Sequence, residues 1–446
     1  MYSATPGTTI HRDTHTASVF GWASSAHERG APEGGVKNGY EAIRTCIWIY
    51  FWLLMLEGAL RKWILPGLSN PLLLVKDPVV IISYLIALKY RRFPGGAFVN
   101  GTIVLGTLAL LVSMVMSNMD LTGRHFLVAM YGFRTDFFYV PFMFLIANTL
   151  DWNDVKKFGK WMLIVSLPVA ILTFLQFRSS QESIWNVGVG GSVGGQMDAG
   201  FDKSRASGIF SFNTGLASYL AMVAAFVIHH FLQGKVYARW LGFASMMALA
   251  ASTALSASRG ITMSVILVCA VGASCVVLQP KLAGRAVWLL VGLLLLGLVF
   301  ASSRILSEGL FVLSSRFEAG EGFKVGILER TFASFTGLSD ILSDQRIFGR
   351  GLGVGTNVGA GLLTGKRDFL AGEGEWGRVI AETGPVLGLA FIALRVGITF
   401  HLLRRSLASL RKGDSLAMLM FGACALLMLN GQWGTAQVLG FVVFAG

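Results

Sequence analysis

Charged residues are scarce in this sequence, and their scarcity excludes an ordinary soluble protein. Lys, Arg, Asp and Glu make up 14% of the 446 residues, and 54% of the residues are hydrophobic. A typical soluble domain carries about 25% charged residues. The composition therefore predicts an integral membrane protein, because a lipid environment tolerates few charges.

Metal-ligating and disulfide-forming residues are also few. The chain has four cysteines and seven histidines. The cysteines all lie inside apolar runs, where a free cysteine packs as a small hydrophobic residue. Neither residue type has the paired spacing that metal sites use. We therefore expect no disulfide framework, no metal and no other cofactor.

The formal net charge is +13, which by itself would also fit a nucleic-acid-binding protein. In a multi-pass membrane protein, however, the positions of Lys and Arg matter more than their sum, since basic residues mark the cytoplasmic loops. Basic residues recur in every second connection between apolar runs, as at 89–92, 156–160 and 404–412. We therefore predict a cytoplasmic amino terminus and no nucleic-acid partner.

Long apolar runs fill most of the chain. A helix that crosses a membrane needs about 20 apolar residues, and we count about twelve such runs. They lie at 43–60, 71–88, 99–117, 124–147, 159–177, 208–230, 237–256, 260–279, 286–302, 379–400, 415–430 and 432–446. The sequence therefore predicts an all-α polytopic membrane protein, a bundle of about 12 transmembrane helices.

The stretches between these runs predict the rest of the organisation. Residues 1–40 are polar and lack the features of a signal peptide, so we expect a disordered cytoplasmic tail. About nine helices would occupy 41–302, with an outer loop near 178–207, and about three would occupy 379–446. Between them, residues 303–378 are polar but carry apolar residues at helical spacing, which predicts one large, partly helical outer loop.

Four charged residues inside the predicted spans are candidates for function, because a charge in the bilayer is costly unless it is paired. Glu57 and Arg61 are four residues apart and meet on one helix face as an ion pair, which either joins helices or contacts substrate. Arg134 and Asp136 are two residues apart and do not face each other, so each needs a partner elsewhere. They either line a substrate cavity or form bonds between helices.

Basic residues on the predicted outer face are more informative. Lys203 and Arg205 end one outer loop, and Arg259 begins a helix directly after the short outer turn 256–258. Arginine presents a planar fork of donors that binds phosphate oxygens bidentately and stays charged at any working pH. Arg205 and Arg259 therefore suit a lipid-linked phosphate or diphosphate. Alternatively, they extend to lipid headgroups, as arginines near helix ends do.

The large outer loop carries charges of both signs. Its end reads Gly-Glu-Gly-Glu-Trp-Gly-Arg and contains Glu373 and Glu375, directly before a predicted span. A partly dehydrated carboxylate in this place is a candidate proton acceptor. Alternatively, these are acidic residues that the amino-terminal end of a helix favours. Further charged candidates for substrate binding in and beside the loop are Arg316, Arg346, Arg350, Arg378 and Glu382.

A glycine-rich stretch, Phe-Gly-Arg-Gly-Leu-Gly-Val-Gly-Thr at 348–356, superficially resembles a phosphate-binding loop. It lacks the Lys-Ser/Thr ending, the preceding strand and the cytoplasmic location that such a loop requires. We interpret its glycines as residues of turns and of close backbone approach.

The order of these pieces resembles the bacterial O-antigen ligase and polymerase superfamily of membrane glycosyltransferases. Arg-Ala-Ser-Gly-Ile-Phe at 205–210 resembles its Arg-x-x-Gly-x-Phe element, and Ser-Arg-Gly at 258–260 resembles its Ser-Arg-Gly element. A large outer loop follows, with Arg-Phe at 316–317 and the glycine-rich stretch. Glu-Thr-Gly-Pro-Val-Leu-Gly at 382–388 resembles the Glu-x-Gly-x-x-Gly that opens the next helix.

The resemblance implies a function. Members of the superfamily bind the diphosphate of a polyprenyl-linked glycan with outer-face arginines, which here are Arg205 and Arg259. Its ligases carry a His-Asn pair about nine residues before the Glu-x-Gly element, whereas this chain has Glu373 there. The resemblance thus implies a polymerase of exopolysaccharide or O-antigen repeat units in the bacterial inner (cytoplasmic) membrane. Its loop 303–378 would be periplasmic, and Glu373, or Glu375 as second choice, would be the base.

The implied partners are polyprenyl-diphosphate-linked oligosaccharides, as donor and acceptor, and membrane lipid. A protein that regulates chain length is a further partner that the sequence leaves open. Two alternatives remain: ligase-type transfer to a lipid or protein acceptor, and a transporter or flippase of lipid-linked sugars. The absence of a repeat that relates the two halves of the sequence disfavours the transporter.

Overall fold

The structure is a computed structural model that describes residues 33–116, 123–234, 236–318, 347–365 and 374–446. Helices dominate this part of the chain. In chain order they are α1 (Glu33–Ala59), α2 (Ser69–Leu72), α3 (Asp77–Lys89), α4 (Ala97–Met116), α5 (Arg124–Phe133), α6 (Val140–Thr149), α7 (Trp152–Arg178), α8 (Asn213–Gln233), α9 (Arg239–Leu255), α10 (Arg259–Leu278), α11 (Ala283–Ser302), α12 (Arg304–Glu318), α13 (Asn357–Thr364), α14 (Glu375–Arg411), α15 (Leu416–Asn430) and α16 (Ala436–Ala445).

Within the described residues, seven helical segments are long and apolar enough to cross a membrane. They are Asn38–Ile64, Pro66–Lys89, Ala97–Met116, Trp152–Arg178, Asn213–Gln233, Arg259–Leu278 and Glu375–Arg411. The helical class and the compatibility with a multi-pass membrane protein are thereby confirmed, while the larger predicted number of spans stays a prediction. Helix α1 begins at Glu33, inside the predicted tail 1–40, because a helix is free to extend beyond the apolar run that crosses the bilayer. Residues 1–32 lie outside the described residues.

Helix α8 lies at the centre of the bundle. Its residues are almost all buried, and it packs against α7, α9, α10, α15 and α16. Peripheral helices instead leave large apolar side chains exposed, such as Leu85 of α3, Leu111 of α4 and Val277 of α10. Exposed leucine and valine on the rim of a charge-poor bundle are typical of a surface that contacts lipid.

In the described part of the chain, two π-helical segments adjoin α-helices of the bundle. Leu60–Ile64 ends α1, and Arg134–Phe138 separates α5 from α6 within the predicted span 124–147. A π-helical turn widens the helix and is frequent at functional sites. Both segments carry buried cations: Arg61 and Lys62 in the first, and Arg134 in the second.

A short hairpin occupies part of the predicted loop 178–207. Strands β1 (Asp198–Gly200) and β2 (Lys203–Ser204) are antiparallel and enclose Phe201 and Asp202, whose φ angles are 55° and 57°. Two successive positive φ angles are those of a type I′ turn. Ala199 of this hairpin packs in a small core with Phe177, Leu255, Ala257 and Val312. This core joins the ends of α7 and α9 to α12.

The glycine-rich stretch packs against a kink in α14. The kink lies at Gly384, with φ 78° and ψ 169°. The backbone N–H groups of Arg350 and Gly351 donate to the carbonyl oxygens of Ala381 and Glu382 at 2.8 and 2.9 Å. A Cβ atom at Gly353 (φ +80°) would lie 2.1 Å from the carbonyl oxygen of Val128. The interpretation of these glycines as residues of turns and close approach is confirmed.

Gly353→Ala is therefore expected to destabilise the fold. Left-handed backbone costs about 1–3 kcal/mol for a non-glycine residue, and overpacking costs about 1–3 kcal/mol more. Thermal unfolding of the purified protein in detergent, followed by tryptophan fluorescence, measures the effect. Gly95→Ala is the control, because a Cβ atom there meets nothing within 4 Å. Equal midpoints for the two variants would contradict the structural role.

Candidate functional site

Three predicted arginines from distant parts of the chain lie close together, and we call Arg205, Arg259 and Arg316 the arginine cluster. The Arg205 backbone N–H donates to the Met197 carbonyl oxygen at 2.8 Å, and its Nε donates to the Asp198 carbonyl oxygen at 3.0 Å. Nη1 of Arg316, on α12, donates to that same carbonyl oxygen at 3.3 Å. The hairpin therefore holds both side chains.

Arg259 joins the cluster as the first residue of α10. It follows the turn 256–258, in which Ala257 is buried and has a positive φ angle of 48°. Burial lowers the pKa of Arg316, and the charges of Arg205 and Arg259 lower it further. This repulsion places Arg205 and Arg259 within electrostatic range of the Arg316 guanidinium.

The Arg316 side chain is only partly satisfied. Its Nε is buried and has no hydrogen-bond partner among the described residues. The Asp198 carboxylate raises the pKa of Arg316, but it also accepts hydrogen bonds from Gln181 and from the Gly200 backbone N–H, both at 2.9 Å. Arg316 thus has a free donor next to two further positive charges, which suits an anion with several oxygens.

Lys203 has its own contacts beside this arrangement. Its Nζ lies 3.0 Å from Glu308 of α12 and 4.9 Å from the centre of the Phe177 ring. These contacts connect β2 to α12 and to the end of α7. Among the described residues, Lys203 therefore links the hairpin to α12 through an ion pair.

A second group of predicted residues forms a buried set of ion pairs, which we call the Glu382 network: Asp136, Glu375, Arg378, Glu382 and Arg395. The Arg378 guanidinium lies at its centre. It donates to Glu375 at 3.0 Å, to Asp136 at 2.8 Å and to Glu382 at 3.0 Å. All five side chains are at most 6% exposed.

Backbone groups complete the Glu382 network. The Glu382 carboxylate accepts hydrogen bonds from the Gly353 and Gly355 N–H groups, both at 2.9 Å. Arg395 donates to Glu375 at 2.8 Å, to the Met428 carbonyl oxygen at 2.9 Å, and lies 4.1 Å from the centre of the Trp433 ring. The glycine-rich stretch, the kink in α14 and α15 are therefore joined through these charges.

A third set of charges lies at the end of α1. Glu57 pairs with Arg61 at 3.3 Å, as the four-residue spacing predicts, and also with Lys76 at 2.7 Å. Arg134 pairs with Asp77, which also accepts a hydrogen bond from the Tyr139 hydroxyl. The prediction that Arg134 and Asp136 have separate partners is confirmed: one contacts Asp77, the other Arg378.

The last three predicted site residues are Arg346, Arg350 and Glu373. Arg350 is an exposed residue of the glycine-rich stretch, whereas Glu373 and Arg346 lie outside the described residues. The structure also brings in charges that the sequence reasoning missed: the buried Lys62, Lys76 and Arg395 and the partly buried Asp77. Three of them are recognisable in the sequence as charges inside predicted spans: Lys76 and Asp77 lie within the run 71–88, and Arg395 lies within the run 379–400.

Comparison of the chain with protein-family models, with curated proteins and with solved structures finds no match in any of the three. The arrangement of its side chains therefore carries the functional argument. The arginine cluster is a partly exposed site with three positive charges and an Arg316 Nε that has no described partner, whereas the Glu382 network is buried and internally satisfied. The first has the properties of a ligand site, and the second has those of a scaffold.

Arg378→Met is expected to destabilise the protein severely. It would leave three buried carboxylates with Arg395 as the one remaining cation of the Glu382 network, and the removal of one partner from a buried pair costs about 3–5 kcal/mol. Expression level and thermal unfolding in detergent measure the loss. Arg304→Met, at an exposed arginine of α12, is the control. If both variants unfold at the same temperature, the Glu382 network does not stabilise the fold.

Proposed function

We propose that this chain is a membrane glycosyltransferase that polymerises polyprenyl-diphosphate-linked oligosaccharide repeat units. The observation that carries the proposal is the convergence of Arg205, Arg259 and Arg316 on one partly exposed site. Each arises in an element that resembles the O-antigen ligase and polymerase superfamily. The positive charges of Arg205 and Arg259 act on Arg316, whose Nε has no described partner, so an anion such as a diphosphate would be favourable beside it.

The arginine cluster would act on the leaving group. In the proposed reaction, a hydroxyl of one lipid-linked unit attacks the reducing-end sugar of another lipid-linked chain, and the bond from that sugar to the diphosphate breaks. Negative charge then grows on the departing diphosphate. Cations fixed around it stabilise the transition state more than the ground state, which is the condition for acceleration. The proposed reaction needs no metal.

A carboxylate would accept the proton of the attacking hydroxyl. We propose Glu373 for this role and not Glu375, because the Glu375 carboxylate is buried and accepts hydrogen bonds from Arg378 and Arg395. A single displacement by the activated hydroxyl would invert the anomeric configuration of the sugar. The large loop would exclude water and align the acceptor.

The membrane location and the remaining charged residues also belong to the proposed function. We place the arginine cluster on the periplasmic face of the bacterial inner membrane, with about twelve spans, a cytoplasmic amino terminus and the loop 303–378 in the periplasm. Lys203, Arg346 and Arg350 remain proposed contacts to the glycan or its diphosphate. Asp136, Arg378 and Glu382 are buried and satisfied by one another, so we now propose that they support the site and do not contact substrate.

Alanine variants of the arginine cluster test the proposal. Each loses a charge-assisted contact of about 1.5–3 kcal/mol, so diphosphate affinity and polymer yield should fall roughly tenfold to a hundredfold. The measurements are binding of a short polyprenyl diphosphate to the purified protein and polymer yield in membranes at matched protein levels. Arg304→Ala, on the same helix as Arg316, is the control and should keep both. Retention of binding and yield by all three variants would rule out the assignment.

A second experiment separates the polymerase from its alternatives. Purified protein in liposomes, given a short lipid-linked repeat unit, is expected to produce a ladder of longer glycans in the presence of EDTA, and Glu373→Gln is expected to stop ladder formation while the donor still binds. Movement of the unit across the bilayer without lengthening would identify a flippase. A single transfer to a lipid or protein acceptor would identify a ligase, and loss of the ladder with EDTA would contradict the metal-free reaction.

A further inference from the structure

Lys62 is a buried lysine in the π-helical segment that ends α1. Its side chain is 1% exposed. Its Nζ donates a hydrogen bond to the hydroxyl of Ser207, a residue that is itself fully buried. Lys62 therefore reaches the same segment of chain that carries Arg205, two residues away.

Lys62 differs from every other buried lysine or arginine in the part of the chain that the structure describes. The others each have a carboxylate within 4 Å, as in the pairs Arg61–Glu57, Lys76–Glu57, Arg134–Asp77, Arg378–Asp136 and Arg395–Glu375. No described carboxylate lies within that distance of Lys62. A buried ammonium without a counter-charge is expensive, so such a lysine either loses its proton or is compensated by an anion that binds beside it.

The segment that Lys62 contacts is rigidly held. The Gln176 side-chain oxygen accepts hydrogen bonds from the Ser207 and Gly208 N–H groups at 3.2 and 2.8 Å. Gly208 has a positive φ angle of 57°, and Arg61 donates to the Ser211 hydroxyl at 3.1 Å. Two adjacent cations at the end of α1 thus contact two serines of one tight segment, 204–211.

Polar atoms around this segment also lack partners. The Ser204 hydroxyl is buried with no hydrogen-bond partner among the described residues, and so is the side-chain nitrogen of Gln437. The Gln437 oxygen accepts from the Ser211 N–H at 3.0 Å, so its nitrogen lies beside the same segment. A lysine ammonium has three donors, and Lys62 uses one of them on Ser207. The segment therefore offers spare donors next to a lysine that has no described carboxylate within 4 Å and whose Nζ lies 5.2 Å from the centre of the Trp63 ring.

We propose that Lys62 and the segment 204–211 form an inner phosphate subsite, behind the arginine cluster. This inference rests on the proposed function and deepens it: Lys62 binds the second phosphate of the lipid-linked diphosphate, while the arginine cluster binds the first. The Cα atoms of Ser207 and Arg205 lie at most about 7 Å apart, and the proposed subsite requires one diphosphate to contact Lys62 and Arg205 together. Lysine binds phosphate as a point charge, and its flexible side chain turns from the Ser207 hydroxyl to the anion.

Lys62→Met tests the subsite, because methionine keeps most of the length and removes the charge. The probes are a short polyprenyl diphosphate, the matching monophosphate and vesicles of phosphatidylglycerol, each with the full-length protein. The wild-type protein should bind the diphosphate more tightly than the monophosphate. Lys62→Met should reduce that preference at least tenfold, and its thermal midpoint should stay unchanged or rise, because a buried uncompensated charge has been removed.

Ser207→Ala is the matched control for a purely structural role. If Lys62 serves only to hold the segment, Ser207→Ala and Lys62→Met should lower the thermal midpoint alike and leave the preference for the diphosphate intact. That result, or failure of Lys62→Met to accumulate as folded protein, would overturn the inference. The inference would also be overturned if Lys62→Met weakened only the binding of phosphatidylglycerol vesicles, since Lys62 would then be a contact to lipid headgroups.

The outcomes also separate the inference from the function on which it rests. If the wild-type protein binds the diphosphate and Arg205→Ala weakens that binding while Lys62→Met does not, the inner subsite is wrong and the proposed function stands. If the wild-type protein does not bind the diphosphate at all, both are wrong.

Discussion

The structure depends on one constraint: a buried charge is costly unless it is paired. The Arg378 guanidinium pairs with three buried carboxylates. It is bonded to Asp136 between α5 and α6, and to Glu375 and Glu382 on α14. Without that guanidinium, three carboxylates would lie together in an apolar bundle with Arg395 alone to oppose them. The glycine-rich stretch, which packs against the kink at Gly384, also stabilises a buried charge, because the Gly353 and Gly355 N–H groups donate to the Glu382 carboxylate.

The same constraint distinguishes scaffold from site. Charges of the Glu382 network have partners within the protein, so a ligand would have to break favourable contacts in order to bind there. Arg316 and Lys62 are the opposite case. Arg316 lies near two other arginines and has a donor to spare, and Lys62 has no described carboxylate nearby. Unbalanced charge of one sign is where a polyanion gains the most.

A small hydrophobic core and a hairpin place the arginine cluster. Phe177, Ala257 and Val312 pack together, and they bring the ends of α7 and α9 against α12. The type I′ turn then directs the Asp198 carbonyl oxygen to accept hydrogen bonds from both Arg205 and Arg316. This arrangement therefore rests on a few buried residues at one end of the bundle.

The sequence alone determined the features that depend on local spacing. Scarce charge and long apolar runs predicted membrane helices, and a four-residue separation predicted the pair Glu57–Arg61, because residues four apart on a helix are neighbours. It also indicated that Arg134 and Asp136 need separate partners. Only the tertiary structure decided which partners: Asp136 pairs with Arg378, 242 residues away. It also moved Glu375 into a buried network and added Arg316 to Arg205 and Arg259, since contacts at such separations depend on how helices pack and leave no periodic signal in the chain.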